Sequence, residues 1–492
     1  MENEYIFSED VIIKDTRNVI NILINTEKRY IPKAEYVFRT FCSILGLKPS
    51  FFYNYAYEEI HVYYGQDFKN NYPVNIYHNP KAVDFFDQIK LYPNEDINQV
   101  LYQDIYIPFL FSLPGKIFEI SNKKVIIKKD IITSAFYFLT CWQEYVDEQN
   151  LIPGDRYDYR QSLQNYLDLT EIPVVDYYCQ IFEVTLKIIL KKFANKKKWP
   201  NNASFCLTLS HDIDYYNFWN KKHLNMVYKH NLKKMKKNFI SALYKIVGHF
   251  ITKQCLWNPE KALSSILNYE QKLKVNSTSF LMSQSEILDE RQAYFNDEQQ
   301  LKQIIKIFQK HSVGLHGTKA ASVDEDLLTE QLILINSYDF AVKGYRNHFL
   351  SFNYQKSFKI LEQAGFVYDA TLGFWENIGY RAGISLPFYP FNIKENRPFS
   401  VLEIPLTIMD VTLFTEKAMN LSYNSAKHKI KKIVNNTHIN NTHLSILWHN
   451  NTFDCIDYPY WQKLYWEIIR YSKRKNAWIC SLDDLANYWI TE

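Results

Sequence analysis

Residues 205–209, FCLTL, are apolar but for Thr208, and the next five, SHDID, carry an imidazole and two carboxylates. The run reads as a short buried strand that ends abruptly in charge. The same pattern recurs downstream in STSFLM (277–282), SVGLH (312–316), VKGYR (342–346), FVYD (366–369), VLEIPL (401–406), HLSILWH (443–449) and AWICSL (477–482). Helical periodicity fills most of the gaps: DEQQLKQIIKIFQKH (297–311), YQKSFKILEQAG (354–365) and YPYWQKLYWEIIRYSKRK (458–475) each precede a strand. Strands alternating with helices of ten or more residues define a parallel sheet, open or closed into a barrel. Eight strands spread over residues 203–492 suit a βα barrel.

Upstream, residues 1–195 read as a separate, smaller mixed α/β domain of unassigned role. EEIHVYYG (58–65) alternates like a strand and stops at Gly65. VVDYYCQIFEVTLKIILKKF (174–193) reads as a long helix with Tyr178, Phe182, Leu186, Ile189, Leu190 and Phe193 on one face. The polar stretch ANKKKWPNNAS (194–204) breaks the pattern and sets the expected boundary. One insertion interrupts the second region. Residues 217–258 hold nine lysines and no Asp or Glu, with Leu224, Tyr228, Leu232, Met235, Phe239, Leu243, Ile246 and Phe250 at steps of four and three. This is a basic amphipathic helical segment: a cover for the barrel with a lysine face in water, or a contact for an anionic membrane surface or polyanionic glycan.

Composition narrows the classes. Net charge of +4 gives no support to nucleic acid as a partner, and there is no P-loop, GxGxxG or zinc-ribbon spacing. Seven scattered cysteines without a CxxC pair fit reduced thiols. The amino-terminal sequence MENEYIFSEDVIIKD lacks the basic start and apolar core of a signal peptide, and no stretch approaches 18 uninterrupted apolar residues. The expected location is cytoplasmic, with residues 217–258 offering a peripheral contact at the inner membrane. Aromatics are abundant, at 38 Tyr, 33 Phe and 10 Trp, which suits core filling first and sugar-stacking walls second.

Ligands of parallel βα folds meet the C-terminal ends of the strands. Six of the expected strands deliver an ionisable residue there: His211, Asp212 and Asp214, then His316, then Arg346 with His348, then Asp369, Asp410 and His449. Carboxylate and imidazole together hold a divalent ion such as zinc. A second carboxylate beside such a site can accept a proton from water, and a histidine can protonate a leaving group. A cation at the site would also explain two like charges at positions 212 and 214. Residue types and spacing alone thus point to metal-assisted hydrolysis.

The motifs SHDID, GLHGT, GYRNHF, YDATLG and SILWHN, in this order and followed by AWICSLDDLANYW, resemble those of the polysaccharide deacetylase family, carbohydrate esterase family four. The resemblance covers residues 203–492 and is greatest to a divergent bacterial branch with an HDxD first motif and an extra N-terminal domain. It implies a distorted (β/α)7 barrel that removes acetyl groups from glycans with a divalent metal, zinc before cobalt or nickel. By this resemblance Asp212 matches the catalytic base and Asp214 the metal carboxylate. His316 matches the first metal histidine, Arg346 the arginine that orients the base, and His449 the general acid. Asp369 or Asp410 would hold His449 in its working tautomer, and Trp375 or Trp448 would wall the sugar pocket.

Two departures stand out. The family's second metal histidine, four residues after the first, is Ala320 here, leaving His211 or His348 to supply a third ligand. The arginine motif runs Arg346-Asn347-His348-Phe349 where the family continues with proline and an aromatic. The leading expectation is a metal-dependent deacetylase acting on a surface or capsular polysaccharide or its precursor. The competing ones are a non-catalytic glycan-binding or scaffold protein on a degenerate barrel, and hydrolysis of a different C–N bond.

Overall fold

The computed structural model describes residues 18–53, 59–67, 72–93, 97–121, 124–147, 156–190, 199–216, 259–284, 294–453, 458 and 460–491; the basic stretch 217–258 lies outside the described residues. The chain divides into two compact units that interleave along the sequence. Met1–Asp84, Asp96–Thr133 and Cys179–Lys197 form the first; Phe85–Glu95, Ser134–Tyr178 and Lys198–Glu492 form the second. The sequence predicts one boundary between 195 and 203, whereas segments 85–95 and 134–178 group with the later residues.

The first unit is built on a six-stranded sheet of β1 (Val19–Asn25), β2 (Lys48–Tyr53), β3 (Val62–Gly65), β4 (Val74–Tyr77), β7 (Phe118–Ser121) and β8 (Lys124–Ile127). Its order is β2-β1-β3-β4-β8-β7, with β5 (Ile97–Tyr102) and β6 (Ile105–Leu110) forming a separate antiparallel hairpin. All ladders of the larger sheet are parallel except β7 with β8. The helix Ile31–Leu45 links β1 to β2; it carries proline in its first turn and ends on Gly46 at φ 64°, a left-handed position that glycine adopts without strain.

The second unit holds β9 (Phe205–Ile213), β10 (Thr278–Leu281), β11 (Ser312–Gly317), β12 (Gly344–Asn347), β13 (Tyr368–Asp369), the small hairpin β14 (Phe391–Asn392) and β15 (Arg397–Pro398), then β16 (Leu402–Glu403), β17 (Ile408–Met409), β18 (His443–Leu447) and β19 (Ala477–Cys480). Every strand expected from residue 205 onwards is present, and β17 and the β14–β15 hairpin add to them. The main sheet runs β16-β13-β12-β11-β10-β9-β18-β17, all parallel. Strand β9 is its axis. Its first half pairs with β19, its second half with β10, and its other edge with β18. All nine β9 residues are buried; the first five are apolar but for Thr208, as a strand covered on both faces requires, and Ser210, His211 and Asp212 beyond them find partners inside the protein.

A closed barrel is the expectation from sequence; the structure shows a curled parallel sheet whose terminal strands, β16 and β17, have no ladder between them among the described residues. Those two strands are the ends of one segment, 401–409. Glu403 pairs with Asp369 on one side and Ile408 with Ile446 on the other. The chain itself, rather than strand pairing, spans the gap.

The polar ends of the strands rest on aromatic packing below them. The Arg346 guanidinium lies 4.4 Å above the Phe280 ring, and a Cβ added at Gly314 would meet that ring at 2.4 Å. The glycine in SVGLH is therefore a space requirement for the ring that carries the arginine. Gly314→Ala should lower stability by about 1–3 kcal/mol, the usual range for overpacking a filled interior. Thermal or urea unfolding of the purified variant would measure it, and an unchanged midpoint would refute the packing argument.

Candidate metal centre

Asp214 follows β9, His316 lies near the end of β11, and His348 opens the turn after β12. One ligand atom from each lies within 4.8 Å of the others, close to the span of two zinc bonds of about 2.0–2.2 Å each. Asp214 Oδ1 is 3.2 Å from His316 Nε2 and 3.7 Å from His348 Nε2. The Oδ1 and Nε2 atoms of the first pair are buried and make no hydrogen bond. His316 donates from Nδ1 to the Arg346 carbonyl at 3.0 Å, which fixes the tautomer and leaves Nε2 as the free donor atom. Two buried, unsatisfied ligand atoms aimed at one point are costly unless something binds them, and a divalent cation fits that donor set.

Local backbone explains how His348 arrives. Phe349 and Leu350 both adopt left-handed φ values, 62° and 53°, in the turn that follows it. The Phe349 ring stacks on the imidazole at 3.8 Å, while the His316 ring lies 5.2 Å away. Strained non-glycine residues of this kind persist where the surroundings over-determine them. Ala320, which stands where the resembled family has its second metal histidine, lies exposed at the start of the turn Ala320–Ser322.

Two charge pairs flank the triad. Asp212 Oδ1 accepts from Arg346 Nη1 at 3.0 Å, and Arg346 also donates to Ser210 Oγ at 2.8 Å and to the Ala370 carbonyl at 2.9 Å. The other Asp212 oxygen is 3.8 Å from His316 Nε2. Across the site Asp410 Oδ1 holds His449 Nδ1 at 2.7 Å, and Asp410 Oδ2 accepts from the His449 backbone N–H at 2.8 Å and from Thr452 Oγ1 at 2.6 Å. His449 Nε2 faces Asp214 Oδ2 at 3.9 Å.

Electrostatics follow from burial and partners. Burial alone would push the Asp214 carboxyl up, but the imidazoles of His348, His316 and His449 outweigh it and hold the group well below the usual carboxylate range. Burial likewise disfavours a charged His449, yet the Asp410 carboxylate, helped by Asp214 and Asp212, pushes it up to about 10. His316 is raised for the same reason, by Asp212 and Asp214 against its burial.

The remaining candidates fall elsewhere. His211 turns to the opposite side of β9, with Nε2 3.0 Å from Glu270 Oε1, so of the two alternatives for a third ligand only His348 meets Asp214 and His316. Asp369 does not reach His449; its carboxyl accepts from the Thr371 N–H and hydroxyl at 3.0 and 2.7 Å, and Asp410 is the partner. Trp448 is fully buried in the core against Tyr465 and is no wall of a pocket, because its strand turns the indole away from the strand-end side chains. Trp375 is half-buried on Leu350, Leu406, Met409 and Leu447, beside the turns that carry His348, Asp410 and His449. Sequence reasoning missed Glu270, which sits on a helix rather than at a strand end.

A family model described as "Family of unknown function (DUF7033)" matches residues 22–191. Among solved structures, one described as a "putative polysaccharide deacetylase from Mycobacterium smegmatis" is similar at 15% identity and a TM-score of 0.39, over 60% of this chain and 93% of that one. No curated protein matches the chain. Among the described residues no helix is long and apolar enough to cross a membrane.

Because protons on the raised His316 compete with a cation for Nε2, zinc should bind more tightly as pH rises and release protons on binding. Calorimetry in buffers of different ionisation enthalpy would show it. His348→Ala should weaken zinc by about tenfold or more, the scale for losing a ligand or its support, while His211→Ala and Ala320→Ser leave affinity unchanged. A His211→Ala loss equal to that of His348→Ala would refute this ligand assignment.

Proposed function

We propose that the second unit is a metal-dependent hydrolase that removes an acetyl group from a sugar of a surface or capsular polysaccharide or its precursor. The observation that carries this reading is the convergence of Asp214, His316 and His348 between an arginine-held carboxylate and a carboxylate-held imidazole. The motif order that resembles the polysaccharide deacetylases supports the acyl substrate.

A divalent cation held by Asp214, His316 and His348, zinc foremost, would supply the charge that polarises an acetyl carbonyl and activates water. Asp212 is the base. Its Oδ1 is committed to Arg346, so Oδ2 is the atom that takes a proton from the attacking water. Arg346 is fully buried and keeps that carboxylate oriented. His449 is the acid: with Nδ1 bonded to Asp410, Nε2 carries the proton given to the departing amine or alkoxide. The Asp410 carboxylate at Nδ1 raises the His449 pKa against burial and so favours the protonated state an acid requires. Trp375, on its bed of Leu350, Met409 and Leu447 and with the Arg156 guanidinium 4.5 Å from its ring, would line the sugar.

The direct test is acetate release from a panel of N- and O-acetylated glycans by zinc-, cobalt- or nickel-loaded protein. Asp212→Asn should abolish turnover while zinc still binds. No acetate from any acetylated glycan at full metal occupancy would reject the enzyme and favour a non-catalytic glycan-binding role. Asp410→Asn makes a second prediction. Without that carboxylate the His449 imidazole falls back towards its ordinary value, so the protonated acid is lost at lower pH. The alkaline limb of the rate profile should move down by about one unit or more, and a limb that stays in place would remove His449 from the acid role.

A further inference from the structure

Alternation along β9 sends Ser210 and Asp212 to one side, where Arg346 bonds both. His211 goes to the other side, where it meets Glu270 of the helix Pro259–Lys272 and Tyr465 of the helix Trp461–Arg474. It is fully buried. Its Nδ1 lies 2.7 Å from the Trp448 carbonyl oxygen and its Nε2 3.0 Å from Glu270 Oε1. A carbonyl oxygen only accepts, so Nδ1 carries a hydrogen. Glu270, itself buried, accepts from Ser277 Oγ at 2.6 Å and from the Tyr465 hydroxyl. Nε2 also lies 3.3 Å from the Tyr465 hydroxyl, so the ring is held at both nitrogens.

The carbonyl that His211 grips belongs to the peptide joining Trp448 to His449. The N–H of that same rigid peptide plane donates to Asp410 Oδ2 at 2.8 Å. One plane is thus held at its oxygen by β9 and at its nitrogen by the carboxylate that also holds the His449 ring. We infer that the His211–Glu270 pair, with both ring nitrogens protonated, is a positioning device for His449, fixing the general acid against the strand that bears Asp212 and leads into Asp214. Its consequence for turnover rests on the deacetylase reading; the clamp itself does not.

The experiment uses zinc-loaded full-length protein labelled with 15N in histidine. In the wild type both His211 nitrogens should carry protons at pH 8, and His449 Nδ1–H should give the signal of a bond to Asp410. His211→Ala should displace or broaden that His449 signal. His211→Asn, whose amide can still donate to the Trp448 carbonyl, should restore it. Glu270→Gln provides a milder lesion of the pair with the same readout if His211→Ala does not fold. In turnover His211→Ala should lose about tenfold to a hundredfold in kcat, with KM and zinc content unchanged and partial recovery in His211→Asn. A bare His211 nitrogen, or a His449 signal and kcat unmoved in a folded variant, overturns the inference. A wild type that shows the doubly protonated ring but releases no acetate refutes the deacetylase reading alone, and the His449 signal then decides the clamp.

Discussion

Charge cannot be removed from water without compensation, and this unit removes a good deal of it at one end of one sheet. Asp212, Arg346, His316 and Asp410 are all buried, and Asp214 is only slightly exposed. An isolated ionised carboxylate in such a place would take up a proton or unfold the region around it. Arg346 compensates Asp212, and His449 and Thr452 compensate Asp410, whereas Asp214 Oδ1 lies near two imidazoles without a hydrogen bond, the place a cation would fill. The curled parallel sheet makes this possible because it points all the strand ends at one another. Residues as far apart in sequence as Asp212 and Arg346 then meet at hydrogen-bond distance.

The features of this arrangement that sequence revealed are those set by local pattern. Alternating strands and helices located every strand expected from 205 onwards, and the position of a charge at the end of an apolar run singled out Asp212, Asp214, His316, Arg346 and His449. What sequence left open depends on which way a side chain leaves a strand, or on partners hundreds of residues away. His211 and Asp212 are adjacent, yet one faces a helix and the other the site. Asp369 and Asp410 are equal candidates by sequence; the choice of Asp410 lies in its distance to His449. Trp448 shows the same limit, since its place beside His449 in sequence says nothing of its burial behind the sheet. Sequence offers His211 and His348 equally as a third ligand; the choice of His348 lies in its distance to Asp214, set by a turn whose two left-handed residues no periodicity signals.

The interleaved units carry a related lesson. The segment 134–178 follows the first unit's strands in sequence, but its side chains are committed to the second. Glu144 takes the Arg381 guanidinium through two hydrogen bonds at 2.8 and 2.6 Å, and Asp176 accepts from the Ser385 backbone N–H at 3.1 Å. Gln164 donates to the Arg381 carbonyl at 2.8 Å. These bonds brace the loop 371–385, on which Trp375 stands, so that loop is held from outside the stretch 203–492. A composition break near 195–203 marks where a connecting stretch turns polar, and it does not register which core the preceding residues have joined.

The segment 401–409 gives the sheet an unusual property. Parallel sheets that end in open strands offer bare N–H and C=O groups on which a second chain can template itself. Here the strands at the two margins are consecutive pieces of the same nine residues, with Pro405 between them. The outward groups are also taken: Glu403 exchanges two backbone hydrogen bonds with Phe388, and the Thr407 carbonyl accepts from the Gly379 N–H, so a molecule seeking to add a strand meets a margin this chain has already sealed against accretion.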